Sequence, residues 1–134
     1  MKLGALSRAG SRLRVMASYL ELRANMSQRY ARSALDDLLS VLDRGSTAST
    51  AEVDEVAVGV RRAERIARVL GMRPDTCLFR ALTRYAALRR AGHRPRFVMG
   101  IDENDPDVGH AWIELEGVPF LEPRLPTLRR TFEH

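Results

Sequence analysis

Apolar residues recur every three or four positions through most of this chain, and only near its end does the pattern tighten to alternation. Leu3, Leu6, Leu13, Val15, Met16, Tyr19, Leu20 and Leu22 form one broad apolar side, and Ala34, Leu35, Leu38, Leu39 and Leu42 another, so residues 3–44 read as helix in two pieces. Gly45 to Thr50 is a loop, and Ser49, with Glu52 three residues on, is placed to form a capping box. Val53, Val56, Val60, Ala63, Ile66, Ala67 and Leu70 carry a third helix that stops at Gly71. A fourth opens behind the N-cap candidates Asp75 and Thr76. It runs through Cys77, Leu78, Ala81, Leu82, Tyr85 and Leu88, with Arg89 and Arg90 in its last turn and Gly92 as its stop.

Pro95 to Ile101 then reads as a strand, Asp102 to Asp107 as an acidic solvated loop, and His110-Ala111-Trp112-Ile113-Glu114-Leu115 as a second strand. Glu116-Gly117 separates it from Val118-Pro119-Phe120-Leu121-Glu122, which completes a hairpin. The fold class expected is α+β: N-terminal helices, a helix bearing the cysteine, and a small antiparallel sheet. A chain of 134 residues with 45% hydrophobic content suits one domain, with residues 1–72 as a helical part and 73–134 as the core that carries the chemistry.

The chemistry centres on Cys77, the single cysteine of the chain. At the first turn of a helix, free N–H groups and the positive end of the dipole favour thiolate over thiol, and the same N–H groups can face an oxyanion. His110 heads the second strand. A three-residue hairpin loop, Leu115-Glu116-Gly117, sets Glu114 opposite Val118, Trp112 opposite Phe120 and His110 opposite Glu122, so a carboxylate holds one ring nitrogen while the other faces the thiol. A two-residue loop, Glu116-Gly117, sets Glu122 opposite Ala111 and points it away from the histidine. Glu114 is a poor substitute, lying about 13 Å along the strand from His110. Arg80, one turn after Cys77, is suited to orienting a substrate or pairing with a carboxylate. His93 reads as a surface or cap residue at the far end of the cysteine helix, and His134 is uninformative.

Cys77-Leu78-Phe79-Arg80-Ala81-Leu82, Arg89-Arg90-Ala91-Gly92, Phe97-Val98-Met99-Gly100-Ile101 and Gly109-His110-Ala111-Trp112-Ile113-Glu114 together resemble the transglutaminase-like leader peptidases of lasso-peptide biosynthesis. The resemblance covers roughly residues 70–123. It implies a papain-like cysteine protease that cuts the leader from a ribosomally made precursor after a leader whose penultimate residue is threonine. The family's cysteine maps to Cys77 and its histidine to His110. Its third residue, usually aspartate, maps to Glu122, one methylene longer. The resemblance also implies a separate leader-recognition protein, since no strand set before Pro95 suggests that module in this chain, and an ATP-dependent cyclase that uses the amine set free by cleavage. No cofactor is implied. Two alternatives stand beside the peptidase: an acyl-transfer enzyme on the same scaffold with an amine as acceptor, and a non-catalytic scaffold that binds the precursor.

Charge and composition narrow the rest. The formal net charge is +5, but Lys2 is the only lysine and acidic residues are interspersed with the arginines, which argues against a nucleic-acid surface. The Asp102–Asp107 loop lacks the glycine and terminal glutamate of a calcium-binding EF-hand, and one cysteine with three histidines offers no clustered zinc set. No apolar run is long enough to span a membrane, and a lone free thiol suits a reducing compartment, so the expected location is the cytoplasm.

Overall fold

The structure, a computed structural model, describes residues 2–44, 51–122 and 128–134. These form α1 (Lys2–Arg32), α2 (Leu35–Asp43), α3 (Val53–Val69), α4 (Cys77–Arg90), β1 (Arg96–Asp102), β2 (Gly109–Leu115), β3 (Val118–Pro119) and β4 (Leu128–Glu133). Among the described residues the architecture is four helices and one antiparallel sheet in the order β3-β2-β1-β4, the expected α+β class.

The two helical pieces expected within 3–44 are α1 and α2, broken at Ser33-Ala34. The apolar side of α1 is narrower than the sequence suggests. Val15, Tyr19, Leu22 and Met26 are buried on one stripe, whereas Leu6 and Leu13 lie on the other side of the helix and are exposed. On α3 the buried stripe is Val56, Val60, Ala63 and Ala67. Gly59 lets α1 and α3 approach closely: a Cβ there would sit 2.8 Å from the Val15 side chain. Leu70 caps α3 and Gly71 turns the chain at φ 65°. The capping box does not form as expected. Ser49 lies outside the described residues, and Glu52, its expected partner, is itself the N-cap and makes no side-chain capping bond.

The start of α4 follows the sequence reading: Thr76 is the N-cap, and its hydroxyl accepts from the Phe79 N–H at 3.3 Å. Gly92 follows its end with φ 89°. Phe97, Ala111 and Ile113 point from the sheet into the core shared with α4, while Val98 and Trp112, cross-strand partners, are buried on the opposite face.

The hairpin register differs from the expected one. Leu115 pairs with Val118 and Glu114 with Pro119, so the loop is the two-residue turn Glu116-Gly117, not Leu115-Glu116-Gly117. Both turn residues have positive φ, 51° and 79°, the geometry whose twist matches that of the flanking strands. Phe120 donates its N–H to the Ile113 carbonyl, so Phe120 lies beside Ile113 rather than Trp112. The ladder then ends, because Leu121 has φ 57° and turns the chain out of the strand. The second arm, expected to run to Glu122, is therefore only two residues long.

β4 has no counterpart in the sequence reading. It pairs along the free edge of β1, with a bulge between Met99 and Gly100. His134 then exchanges both backbone hydrogen bonds with Phe97, and its ring reaches Asp43 at 2.8 Å. This histidine, expected to be uninformative, ties the sheet to α2. His93 is half-buried, its Nε2 2.6 Å from the Ala51 carbonyl, and closes the end of α4 through its N–H to Leu88.

Candidate active site

Three elements contribute the residues singled out from sequence. Cys77 is the first residue of α4, a free thiol half-buried against the core. His110 lies near the start of β2, its ring stacked on Trp112 with centroids 5.9 Å apart and planes 15° from parallel. Glu122 follows Leu121, and its Oε2 lies 3.4 Å from His110 Nε2, at ion-pair distance. A two-residue loop continued as a regular strand would point Glu122 away from the ring. Leaving the ladder at Leu121 undoes that alternation and returns the carboxylate to the histidine.

Engaging Nε2 leaves Nδ1 of His110 available for a second partner. Cys77 makes no side-chain hydrogen bond among the described residues, so the structure joins histidine to carboxylate directly, and the thiol stands at the start of α4 without a bond to either. Cys77 and Arg84 lie on one stripe of that helix, separated by about 10 Å of rise, and a helical side chain leans toward the N-terminus. Arg84 Nη1 contacts Glu122 Oε1 at 3.3 Å. Arg84, two turns along the same stripe as Cys77, thus faces the carboxylate beside His110.

Behind Glu122 stands a buried polar chain that sequence reasoning missed. Arg84 is 8% exposed, and its Nε and Nη2 reach the two oxygens of Glu64 on α3 at 2.6 and 2.9 Å. Tyr19 on α1 is fully buried and donates its hydroxyl to Glu64 Oε1 at 3.0 Å. Burial works against the Arg84 charge, but the bonds to Glu64 outweigh it and its pKa rises above the ordinary guanidinium value. Burial, reinforced by Glu64, raises the Tyr19 pKa, so its hydroxyl stays a donor. One signal was present in the sequence: Glu64 and Arg84 both interrupt apolar stripes, beside Val60, Ala63 and Ala67 in one helix and Ala81 and Leu88 in the other. A charge at core spacing calls for a buried partner.

At the tip of α4, Asp75 receives Arg23 Nη2 at 3.0 Å and Arg80 Nη1 at 3.2 Å. Burial opposes the Asp75 charge, yet the two arginines hold its pKa below the usual carboxylate value. Of the two roles open to Arg80, pairing with a carboxylate is the one observed. On the far side of the Trp112 ring, Glu114 accepts from Trp112 Nε1 at 3.0 Å and from Arg130 Nη2 at 2.7 Å. It is thus occupied elsewhere in the sheet. Among the described residues no group of three His, Cys, Asp or Glu side chains is suited to a metal, and no helix is long and apolar enough to cross a membrane.

The family model of the transglutaminase-like superfamily matches residues 16–134. The chain belongs to this superfamily. That match takes in α3, β4 and most of α1 as well as the segment carrying Cys77 and His110, and the scaffold is of the cysteine protease or acyltransferase type. No curated protein and no solved structure matches the chain. Thiol-based acyl transfer needs a nucleophilic thiol and an acid–base partner, and Cys77 and His110 are residues of those types.

Proposed function

We propose that this protein is a cysteine peptidase that removes the leader from a lasso-peptide precursor, with Cys77 as nucleophile, His110 as acid and base, and Glu122 as the residue that orients the ring. The observation that carries the reading is the engagement of His110 Nε2 by Glu122 at 3.4 Å, which leaves Nδ1 for the thiol. His110 takes the Cys77 proton and the thiolate attacks the scissile carbonyl. The oxyanion is met by the Cys77 backbone N–H, one of the free donors at the start of α4. Collapse breaks the C–N bond as the imidazolium protonates the leaving amine. Water then attacks the thioester, releasing the leader carboxylate and restoring the thiol. Catalytic contacts are often open in the free enzyme and tighten when substrate is bound, which fits a thiol not yet bonded to the imidazole.

The leader as substrate, the separate recognition protein and the cyclase that consumes the freed amine rest on the resemblance of Cys77–Leu82 and Gly109–Glu114 to lasso leader peptidases. Reducing, cytoplasmic surroundings suit the free thiol. The test is incubation with precursor and recognition protein, followed by mass spectrometry. Hydrolysis yields two fragments that together exceed the precursor by one water, and Cys77→Ala abolishes them. A new amide in place of the added water identifies amine transfer. Unchanged pathway output from Cys77→Ala identifies a non-catalytic scaffold and ends the peptidase reading.

A further inference from the structure

Beside His110 the charged groups alternate in sign along a row. Glu122 faces the ring, Arg84 faces Glu122, and Glu64 takes the rest of the Arg84 fork. Two carboxylates against one guanidinium leave one formal negative charge, and the imidazole edge is the next position in the row. Arg23 and Arg80 pair with Asp75, and Arg130 with Glu114 and Glu133, while Arg23 and Arg68 also line the small cavity on the Glu64 side of the row, away from the ring. Tyr19 adds a hydroxyl to Glu64 and no charge. The row crosses the fold from α3 to α4 to the segment after β3.

From this alternation we infer that Arg84 is a positioning residue, fixing one oxygen of Glu122 so that the other meets His110, and that Glu64 neutralises Arg84 so that Glu122 keeps its charge for the imidazolium. The inference rests on reading His110 and Glu122 as the acid–base pair of the site. Without Glu64, Arg84 would claim the charge of Glu122 for itself. Without Arg84, Glu122 would lose the fixed orientation that catalysis uses but stay beside the ring, and two carboxylates would act on the imidazolium with no guanidinium against them. The two losses act on imidazolium with opposite sign, whereas general damage to the fold acts with one.

The measurement is the midpoint of the His110 ring titration by NMR, in a Cys77→Ala background that removes coupling to the thiol. Glu64→Gln is expected to lower the midpoint and Arg84→Met to raise it. Tyr19→Phe, which changes no charge, leaves it in place. In the enzyme with Cys77 intact, Arg84→Lys keeps the charge but loses the fork, and is expected to slow precursor cleavage about tenfold in kcat with less change in KM. Shifts of the same sign in Glu64→Gln and Arg84→Met, or a shift in Tyr19→Phe equal to that in Glu64→Gln, overturn the inference. If Arg84→Met fails to fold, Glu64→Gln against Arg84→Lys decides: only the first lowers the midpoint, and equal midpoints overturn it. A parent protein that cleaves no precursor yet shows these shifts loses the peptidase reading and keeps the charge row.

Discussion

Arg84 of α4 and Glu64 of α3 meet fork to fork at 2.6 and 2.9 Å, and the remaining Arg84 nitrogen reaches Glu122. A buried pair of this kind costs desolvation on both sides, so its removal by halves is more damaging than its presence is stabilising. Arg84→Met, which leaves Glu64 with the Tyr19 hydroxyl but without its guanidinium, is expected to lower stability by about 3 kcal/mol. Urea unfolding measures it, and a loss below about 1 kcal/mol would show that water reaches Glu64.

Glu122 spans two partners, Arg84 at 3.3 Å and His110 at 3.4 Å. Aspartate, one methylene shorter, cannot hold both from the same backbone position. Glu122→Asp is expected to reduce precursor cleavage about tenfold, and Glu122→Gln about a hundredfold or more because the imidazolium loses its counter-charge. Single-turnover kinetics rank the two. Wild-type rates in Glu122→Gln would remove Glu122 from the site.

Gly100 stands opposite His110 in the β1–β2 ladder. A Cβ there would lie 3.1 Å from the Arg129 carbonyl oxygen and from Leu128 Cβ, and 3.2 Å from the Trp112 ring. Gly100→Ala is expected to cost about 1–3 kcal/mol by thermal or urea unfolding, since β4 and the indole must give way together.

Glu116 is exposed and left-handed at φ 51°, a conformation that suits asparagine or glycine better. Glu116→Asn is expected to raise stability by about 0.5–1 kcal/mol and to leave cleavage unchanged. A melting comparison at constant pH checks both the sign and the two-residue turn.

Glu114 contributes a pH dependence. Burial alone would raise its pKa, but the bonds from Trp112 and Arg130 hold it below the ordinary carboxylate value in the folded chain. A group with a depressed folded pKa stabilises fully above its unfolded value, and that contribution disappears as pH falls through the folded one. Wild type is therefore expected to exceed Glu114→Gln in stability at neutral pH, and the gap to close as the solution is acidified below the usual carboxylate range. Urea midpoints across that range test it, and a constant gap would mean that Glu114 keeps its proton state throughout.

Helix positions were legible because caps and stops are local: Thr76, Gly71 and Gly92 act on their own turns. Cys77 at a helix start and His110 on a strand followed from the same signals. The hairpin register did not, because the choice between a two- and a three-residue loop depends on a left-handed Glu116, which sequence preference disfavours. The approach of Glu122 to His110 was expected from a register that does not occur. A single left-handed residue, Leu121, delivers it instead, and no alternation pattern reports such a residue. β4 was missed because most of its positions are exposed and only Leu128 and Phe132 are half-buried. Glu64 and Tyr19 were missed because their partner lies in another helix, a fact of packing and not of periodicity.

The reach of Tyr19 and Glu64 into the rear of the site sets a limit on dissection. A fragment beginning near residue 73 would retain thiol, imidazole and the carboxylate beside it, yet surrender the anion that balances Arg84. On the proposed reading its guanidinium would then draw Glu122 off the ring, so the amino-terminal helices would carry the charge balance as well as support the fold.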